Sequence, residues 1–216
     1  MDKIKKVNFL TQYYYPDIAS TGQLMTELAE MLVKRGMDIY VYTTKPSYVK
    51  KGDAPKFEMH NNVKINRVFC FNANKNIPLG RTINTISFLI SIFIKLLFTD
   101  RKAINFIVST PPLLLFVGYF LFLIKRQKYV LLIYDIYPDV AVALDYFKKD
   151  SLIVKIWDWF NKKTISKAER TVVLSEGMKR LILSKFENPD KIKDKMSIIH
   201  NWADDKFFKL INKEDN

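Results

Sequence analysis

One aspartate lies at the end of a predicted strand, where its carboxylate could take part in catalysis. Asp135 directly follows the continuous apolar run at 129–134, which is typical of a central parallel strand buried on both faces. A carboxylate at that position can contact a substrate hydroxyl or act as a base. Asp139 follows Pro138, a position that favours a helix-capping role. Asp135 is therefore the candidate catalytic residue.

A second candidate is the aromatic loop YYYPDIASTG at 13–22, which ends in Thr21 and Gly22. A helix that begins there directs unpaired N–H groups at the loop, and such groups bind anions, above all phosphate. A glycine at this point leaves room for a ligand. A plain N-terminal helical turn explains the same residues equally well.

The composition excludes several classes of site. The chain has 216 residues, 49% of them apolar, with one cysteine, Cys70, and two histidines. Disulfides and zinc clusters are therefore not expected, and a reducing compartment is favoured. The first residues lack the apolar core of a signal peptide. No Ser/His/Asp or Cys/His pattern stands out.

The net charge of +13 favours a polyanionic partner, either nucleic acid or an anionic membrane. A lysine-rich, solvated surface is the simplest interpretation. No nucleic-acid-binding module is recognisable, and the apolar stretches favour a membrane over nucleic acid.

The first loop lies inside a βαβ pattern. Strands are expected at 7–12 and 38–44, with a helix between them that Gly36 ends. Ser20 and Gln23 match a capping box. The helix shares one apolar face, made of Leu24, Leu28, Met31 and Leu32.

The rest of the chain continues this alternation, which predicts a doubly wound, Rossmann-like parallel sheet of about seven strands. A loop is expected at 45–62. Further strands are expected at 63–71, 104–109, 129–134, 170–174 and 196–199, and helices at 81–98, 113–124, 140–168 and 175–186. Ligands bind such sheets beyond the carboxyl ends of the strands, so the loops that follow strands should meet at one edge.

The apolar segment 81–98 has three interpretations. It is short for a bilayer span and contains Asn84, Thr85, Ser87 and Ser91. It fits a buried or half-buried helix, and it also fits an interfacial helix beside basic residues. The last two interpretations are compatible.

The order of the motifs resembles the N-terminal half of family 4 glycosyltransferases, which are retaining GT-B enzymes that use nucleotide sugars. The subgroup that builds lipid-linked O-antigen, capsule and colanic-acid-type sugars is the most similar. The matching stretches are YYYPDIASTGQLMTELAEMLVKRGMDIYVYTT, STPPLLLFVG, YDIYPDVAVAL, RTVVLSEGMKRLI and IIHNWAD. The family often has Gly-Gly where this chain has Thr21-Gly22.

The resemblance implies a role for each matching residue. Asp135 corresponds to a His or Asp that faces donor sugar and acceptor. Gly22 lies in a loop near the acceptor and the donor phosphates, and Trp202 is at the start of the interdomain hinge. The substrate-binding residues implied are Tyr15, Thr21, Gly22, Ser175, Glu176 and Asn201. Glu176 also suits the dipole of a helix start.

The resemblance also implies what the chain does not contain. Residues 1–203 correspond to the N-terminal domain and 204–216 to a hinge remnant or polar tail. Most contacts to the nucleotide sugar, the expected donor substrate, come from a second domain. No metal or other cofactor is expected. The chain would be an acceptor-binding half, inactive without a C-terminal donor domain, and it could be a split-enzyme subunit, a truncated gene product or an expressed domain.

The expected partners are a polyprenyl-phosphate-linked acceptor, a possible C-terminal-domain protein and the membrane surface, and not nucleic acid. The expected location is cytoplasmic, peripheral at the inner face of the cell membrane. A non-catalytic membrane scaffold that binds a partner transferase is the alternative. Nucleic-acid binding driven by charge alone is a third hypothesis.

Overall fold

A computed structural model describes residues 6–46, 54–74 and 76–202, which fold around one eight-stranded sheet. In chain order the strands are β1 (Lys6–Leu10), β2 (Asp38–Thr43), β3 (Phe57–His60), β4 (Val63–Arg67), β5 (Ile104–Val108), β6 (Tyr129–Ile133), β7 (Arg170–Val173) and β8 (Met196–Ile198). Their order across the sheet is β3-β4-β2-β1-β5-β6-β7-β8. All neighbours pair in parallel except β3 and β4.

The predicted α/β fold is thus confirmed, with one strand more than expected. The additional strand, β3, lies inside the segment 45–62 that was predicted to be a loop, and it is antiparallel to β4. Asn61 and Asn62 join the two strands, with φ values of 47° and 63°. Two left-handed residues of this kind form the tight hairpin turn for which Asn is favoured. The Asn-Asn pair was the available sequence signal.

Within the described residues, seven helices connect the strands: α1 (Ser20–Lys34), α2 (Pro78–Leu97), α3 (Leu114–Lys125), α4 (Asp139–Ala143), α5 (Leu152–Lys167), α6 (Glu176–Leu183) and α7 (Asp190–Lys193). The helix predicted over 140–168 is wrong as a single element. It ends after α4, where Asp145 adopts a left-handed φ of 58°, and helical structure resumes at α5. Helix α7 was not predicted.

Details of α1 also differ from the prediction. Ala19 is the N-cap and makes no side-chain capping bond, so the predicted Ser20 capping box is wrong. The buried residues are Gly22, Met25 and Ala29, whereas Met31 is 46% exposed. The buried stripe is therefore rotated from the predicted face. Gly36 has φ = 84° and ends the helix as predicted.

The sheet separates two apolar clusters. Phe9 and Val41 face the side covered by α1, and the next residues along, Leu10 and Tyr42, face the side covered by α2 and α3. This alternation is the two-residue period of strands. The predicted boundary at residue 203 and the segment 204–216 lie outside the described residues.

Candidate functional site

The five strands β1, β5, β6, β7 and β8 are parallel neighbours, so the loops that follow them lie at one edge of the sheet. The chain reverses its direction across the sheet between β1 and β5, because β2 and β4 lie on one side of β1 and the later strands lie on the other. Ligands of open α/β sheets bind at such a reversal, in the crevice beyond the carboxyl ends.

Hydrogen bonds join the loops on either side of this reversal. The Gln12 N–H donates to the Thr110 carbonyl at 3.4 Å. The hydroxyls of Thr43 and Thr44 both donate to the Gln12 carbonyl at 2.9 Å. The base of the first loop is thus held by β2 on one side and by the loop after β5 on the other. Cis X-Pro bonds occur in the loops after β1, β5 and β6, at Tyr15-Pro16, Thr110-Pro111 and Tyr137-Pro138.

Tyr15 lies in the first loop, half-buried against the β3–β4 side of the sheet. Its ring stacks on His60, with centroids 3.6 Å apart and planes 12° apart. Its carbonyl accepts a hydrogen bond of 3.0 Å from Arg67. The stacked face of the Tyr15 ring is therefore occupied by histidine, and its remaining surface is left for the predicted contact with an acceptor.

Arg67 is a positioning residue that the sequence analysis missed. Its side chain is only 1% exposed, and it pairs with Glu58 at 2.6 Å. It also donates to the carbonyls of Pro55 and Tyr15, both at 3.0 Å. A buried guanidinium ties three segments together because it has five donors in a rigid fork. The sequence did contain one indication of this role. In the alternating strand VKINR, Arg67 is a charged residue at a position that faces inward.

Thr21 and Gly22 lie in the first turn of α1, as predicted for the head of that helix. A Cβ placed on Gly22 would lie 3.1 Å from the Asp17 carbonyl oxygen and 3.5 Å from the Tyr14 nitrogen. Because Gly22 has no side chain, the backbone of the preceding loop can fold back and pack against the helix. The predicted ligand contact at Gly22 stays a prediction.

Asp135 lies exposed at the end of β6 and lines a cavity of about 30 Å³. The turn that carries it is anchored by Ser109 at the end of β5. The Ser109 hydroxyl oxygen accepts hydrogen bonds from the backbone N–H groups of Tyr134, at 2.9 Å, and Asp135, at 3.4 Å. Burial raises the pKa of Tyr134 to about 12, so its phenol stays neutral.

Tyr137 forms part of the same cavity. Its ring stacks on Trp157 at 5.5 Å, and its carbonyl accepts a 2.6 Å hydrogen bond from Asn161. Burial, with a smaller contribution from the Asp135 charge, raises the pKa of the Tyr137 phenol. The Tyr137 phenol therefore stays neutral in the wall of this cavity.

A fixed positive charge lies in the cavity wall. The Lys185 ammonium donates to Asp139 at 2.5 Å and to Asp158 at 2.7 Å. Burial alone lowers the pKa of Lys185, but these two hydrogen bonds outweigh it and the pKa is raised. Lys185 is consequently protonated and links α4, α5 and the end of α6. The capping role expected for Asp139 is wrong, because Pro138 is the N-cap and the Asp139 carboxylate binds Lys185.

The remaining predicted residues follow β7 and β8. Ser175 is the N-cap of α6, and its hydroxyl oxygen accepts the Met178 N–H at 3.2 Å. Glu176 is exposed in the first turn, where the helix dipole favours a carboxylate. Asn201 is exposed. The Trp202 indole donates to Glu27 at 2.6 Å, which brings the chain after β8 back to α1.

The predicted residues thus form a row and not a compact cluster. Adjacent strands are about 4.8 Å apart, so the end of β6, which Asp135 follows, lies about 10 Å along the edge from the end of β1, and the end of β8 about 19 Å. Asp135 is the member of the row that lines the cavity. Such a row resembles one wall of a cleft, with the exposed carboxylate of Asp135 near its centre and that of Glu176 on the next strand end.

The chain was compared with known proteins. No protein-family model matches it. Over 146 residues it is 30% identical to the probable glycosyltransferase WbjE of Pseudomonas aeruginosa, in an alignment that covers 66% of this chain and 35% of that protein. The chain thus spans about a third of the length of that curated relative.

Two solved structures share the fold. Sucrose-phosphate synthase from Thermosynechococcus elongatus matches with a TM-score of 0.67 and 11% identity, over 96% of this chain and 50% of that one. The catalytic domain of starch synthase IV from Arabidopsis thaliana, bound to ADP and acarbose, matches with a TM-score of 0.62 and 9% identity, over 94% and 53%. The chain is glycosyltransferase-like in sequence, and its fold is that of about half of a GT-B glycosyltransferase.

Proposed function

We propose that this chain is the acceptor-binding half of a retaining, nucleotide-sugar-dependent glycosyltransferase of family 4, of the O-antigen or capsule type. The observation that carries the proposal is the placement of Asp135. It is an exposed carboxylate at a carboxyl strand end, beside the reversal point of a sheet that has the GT-B half-domain fold. Ligands bind at this place in open α/β sheets.

In this proposal the Asp135 carboxylate contacts a sugar hydroxyl, accepting its hydrogen bond or its proton. Ser109 holds the turn in position through the two backbone N–H groups that it binds. The charge-paired Lys185 keeps α4, α5 and the end of α6 together, so the cavity wall stays preorganised.

The donor, a nucleotide sugar, is bound mainly by a second domain in this proposal. Support comes from the lengths of the similar proteins, of which this chain covers 35% to 53%. Thr21, Gly22, Ser175, Glu176 and Asn201 would then form the wall that faces that domain, with Tyr15 towards the acceptor. The second domain would belong to a partner protein or to a longer form of this chain.

The proposed acceptor is a polyprenyl-phosphate-linked sugar, and the proposed location is the inner face of the cell membrane, with the protein peripheral and cytoplasmic. The net charge of +13 and the apolar helix α2 support this location. Helix α2 has the length and hydropathy of a membrane-spanning helix, and one third of it is buried against the rest of the protein.

The test is sugar transfer from a nucleotide donor to a lipid-linked acceptor, measured with a C-terminal donor domain added. We expect Asp135→Asn to lower the rate about a hundredfold or more, as is typical for loss of a general base. Asp150→Asn, on the exposed surface, is the matched control and should retain the rate. An Asp135→Asn complex as active as the control contradicts the proposed role of Asp135.

The second candidate is a non-catalytic membrane scaffold that binds a partner transferase. The apolar outer surface of α2 favours it, because an exposed apolar surface can bind a membrane or a partner protein without taking part in catalysis. An unchanged rate in the Asp135→Asn complex, together with loss of rate when α2 is made polar, would favour the scaffold.

A further inference from the structure

Helix α2 carries a row of apolar side chains on its outer surface. The row consists of Leu79, Ile83, Ile86, Ile90 and Ile94, which are between 40% and 67% exposed. Their spacing of three or four residues places them on one side of the helix. At 1.5 Å per residue the row is about 22 Å long. We call it the α2 apolar row.

The opposite side of α2 is fixed in the protein. The buried side comprises Gly80, Asn84, Phe88, Ile92 and Leu96. The Asn84 amide exchanges hydrogen bonds of 2.8 and 3.0 Å with the backbone of Ala73, in the loop before the helix.

The carboxyl end of α2 is held by a neighbouring helix. The ammonium of Lys125, at the end of α3, donates to the carbonyls of Leu96, Leu97 and Thr99 at 3.0, 3.1 and 2.6 Å. Because one side of α2 packs in the core and both ends are tied, the helix cannot cross a bilayer as it stands. It can lie flat on one.

The segment of the chain that contains α2 and α3 is rich in cations. Residues 70–134 contain eight Lys or Arg residues and a single acidic residue, Asp100, although the whole chain has 22 acidic residues. Helices α2 and α3 contain no acidic residue. Exposed cations lie in the first and last turns of α2 or follow its carboxyl end: Arg81, Lys95, Arg101 and Lys102. Cations of this kind attract anionic lipid headgroups.

We propose that the α2 apolar row, together with the cations near the ends of α2, is the docking surface for an anionic bilayer, with α2 parallel to the membrane plane. Apolar side chains that enter the headgroup boundary beside basic residues are the signature of interfacial helices. A second copy of the chain is a poorer occupant, because symmetric contact would oppose two positive surfaces. The inference deepens the proposed function, since it rests on a lipid-linked acceptor.

The topology gives this surface a direction relative to the candidate site. Helix α2 begins after β4 and returns to the start of the parallel strand β5. Leu79 is therefore at the carboxyl edge of the sheet, where Asp135 lies, and Ile94 is near the amino edge. A membrane along α2 runs beside the site, so a lipid-linked substrate could reach the edge without leaving the headgroup layer.

The test is flotation of the full chain with phosphatidylcholine vesicles, with and without phosphatidylglycerol. We expect binding to the anionic vesicles only. Ile86→Gln/Ile90→Gln should lower partitioning about tenfold or more, because it removes two apolar side chains from the interface. Met31→Gln, an equally exposed position on α1, is the control and should bind as the unmodified chain does.

The cations are tested in the same way. Arg101→Gln/Lys102→Gln should lower binding to anionic vesicles roughly tenfold, and added salt should lower it further. Lys34→Gln/Arg35→Gln, at the end of α1, is the matched control. Equal losses in both pairs would overturn the proposal, because they would show a dependence on total charge and not on this surface.

Two other outcomes would overturn it. One is an unmodified chain that does not float with anionic vesicles. The other is concentration-dependent self-association that Ile86→Gln/Ile90→Gln abolishes, which would assign the row to a second copy. None of these measurements requires sugar transfer, so the proposed function can fail while this inference stands.

Discussion

Helices α1 and α2 cover the same strands from opposite faces of the sheet, yet their outer surfaces differ completely. Met25 of α1 belongs to the same buried cluster as Phe9 and Val41, and Phe88 of α2 to the same cluster as Leu10 and Tyr42, the next residue along each strand. The exposed positions of α1 are Ser20, Gln23, Glu27, Met31 and Lys34, whereas those of α2 include Leu79, Ile83, Ile86, Ile90 and Ile94.

The comparison shows that covering the sheet requires one apolar stripe per helix, which α1 provides. A second apolar stripe on α2 adds nothing to the described core and exposes apolar area to water. Because both helices meet the same strands, α1 serves as an internal control for α2. The additional stripe therefore indicates a binding partner. The mutations below distinguish the buried side of α2, which stabilises the fold, from the exposed side, which is available to that partner.

The largest expected effect is on the buried stripes, where the two helices should behave alike. Phe88→Ala in α2 and Met25→Ala in α1 each empty a fully buried site. We expect the free energy of unfolding, measured by urea denaturation, to fall by about 3–5 kcal/mol for Phe88→Ala and about 2–5 kcal/mol for Met25→Ala. A loss below 1 kcal/mol for Phe88→Ala alone would show that α2 is not an integral part of the core.

A smaller effect should separate the two helices at their first-turn glycines. A Cβ on Gly80 would lie 2.1 Å from the Asn74 carbonyl oxygen, whereas a Cβ on Gly22 would lie 3.1 Å from that of Asp17. Gly80→Ala should cost about 2–3 kcal/mol because backbone must move. Gly22→Ala should stay within about 1 kcal/mol of the unmodified chain, since the gain in helix propensity offsets a mild contact. Equal thermal shifts would contradict this reasoning.

The remaining effects, of similar or smaller size, concern how the helices end. Helix α1 ends at Gly36, whose left-handed φ of 84° disfavours a side chain, so Gly36→Ala should cost about 1 kcal/mol. At the end of α2, the backbone carbonyls accept hydrogen bonds from the Lys125 ammonium of α3.

Lys125→Met keeps the side chain as far as its ε position but removes three charge-assisted hydrogen bonds, and should cost about 1.5–3 kcal/mol. Hydrogen exchange is the discriminating readout. Lys125→Met should raise exchange in α2 and α3 together, and Gly36→Ala should raise it in α1 alone. Faster exchange confined to α3 would show that Lys125 does not hold the end of α2.

Much of the fold could be predicted because several local signals agreed. The apolar run at 129–134 is β6, and the βαβ opening was recognised from strand, helix and Gly36 together. Strand β3 was missed because its four residues, FEMH, are too few for their alternation to indicate a strand until β4 pairs with them. The single helix predicted over 140–168 failed at Asp145, because propensity does not reveal a left-handed residue inside a helical pattern.

The candidate site was predictable only in part. The position of Asp135 after a buried strand follows from the local sequence, and the structure places it at the expected edge. Lys185 could not have been assigned a role, because Asp139 and Asp158 lie 46 and 27 residues away in the chain. Arg67 was hidden for the same reason, since its partner carbonyl at Tyr15 is 52 residues distant.

The amino-acid sequence by itself determined the alternation of strands and helices, the loops that follow the strands, and the long apolar, cation-rich segment around α2. It did not determine which side of α2 faces the core. Phe88, Ile92 and Leu96 on one side are as apolar as Ile86, Ile90 and Ile94 on the other. Only packing against the sheet and α3 buried the first set and left the second exposed, because a helix with apolar residues on every side carries no orientation of its own.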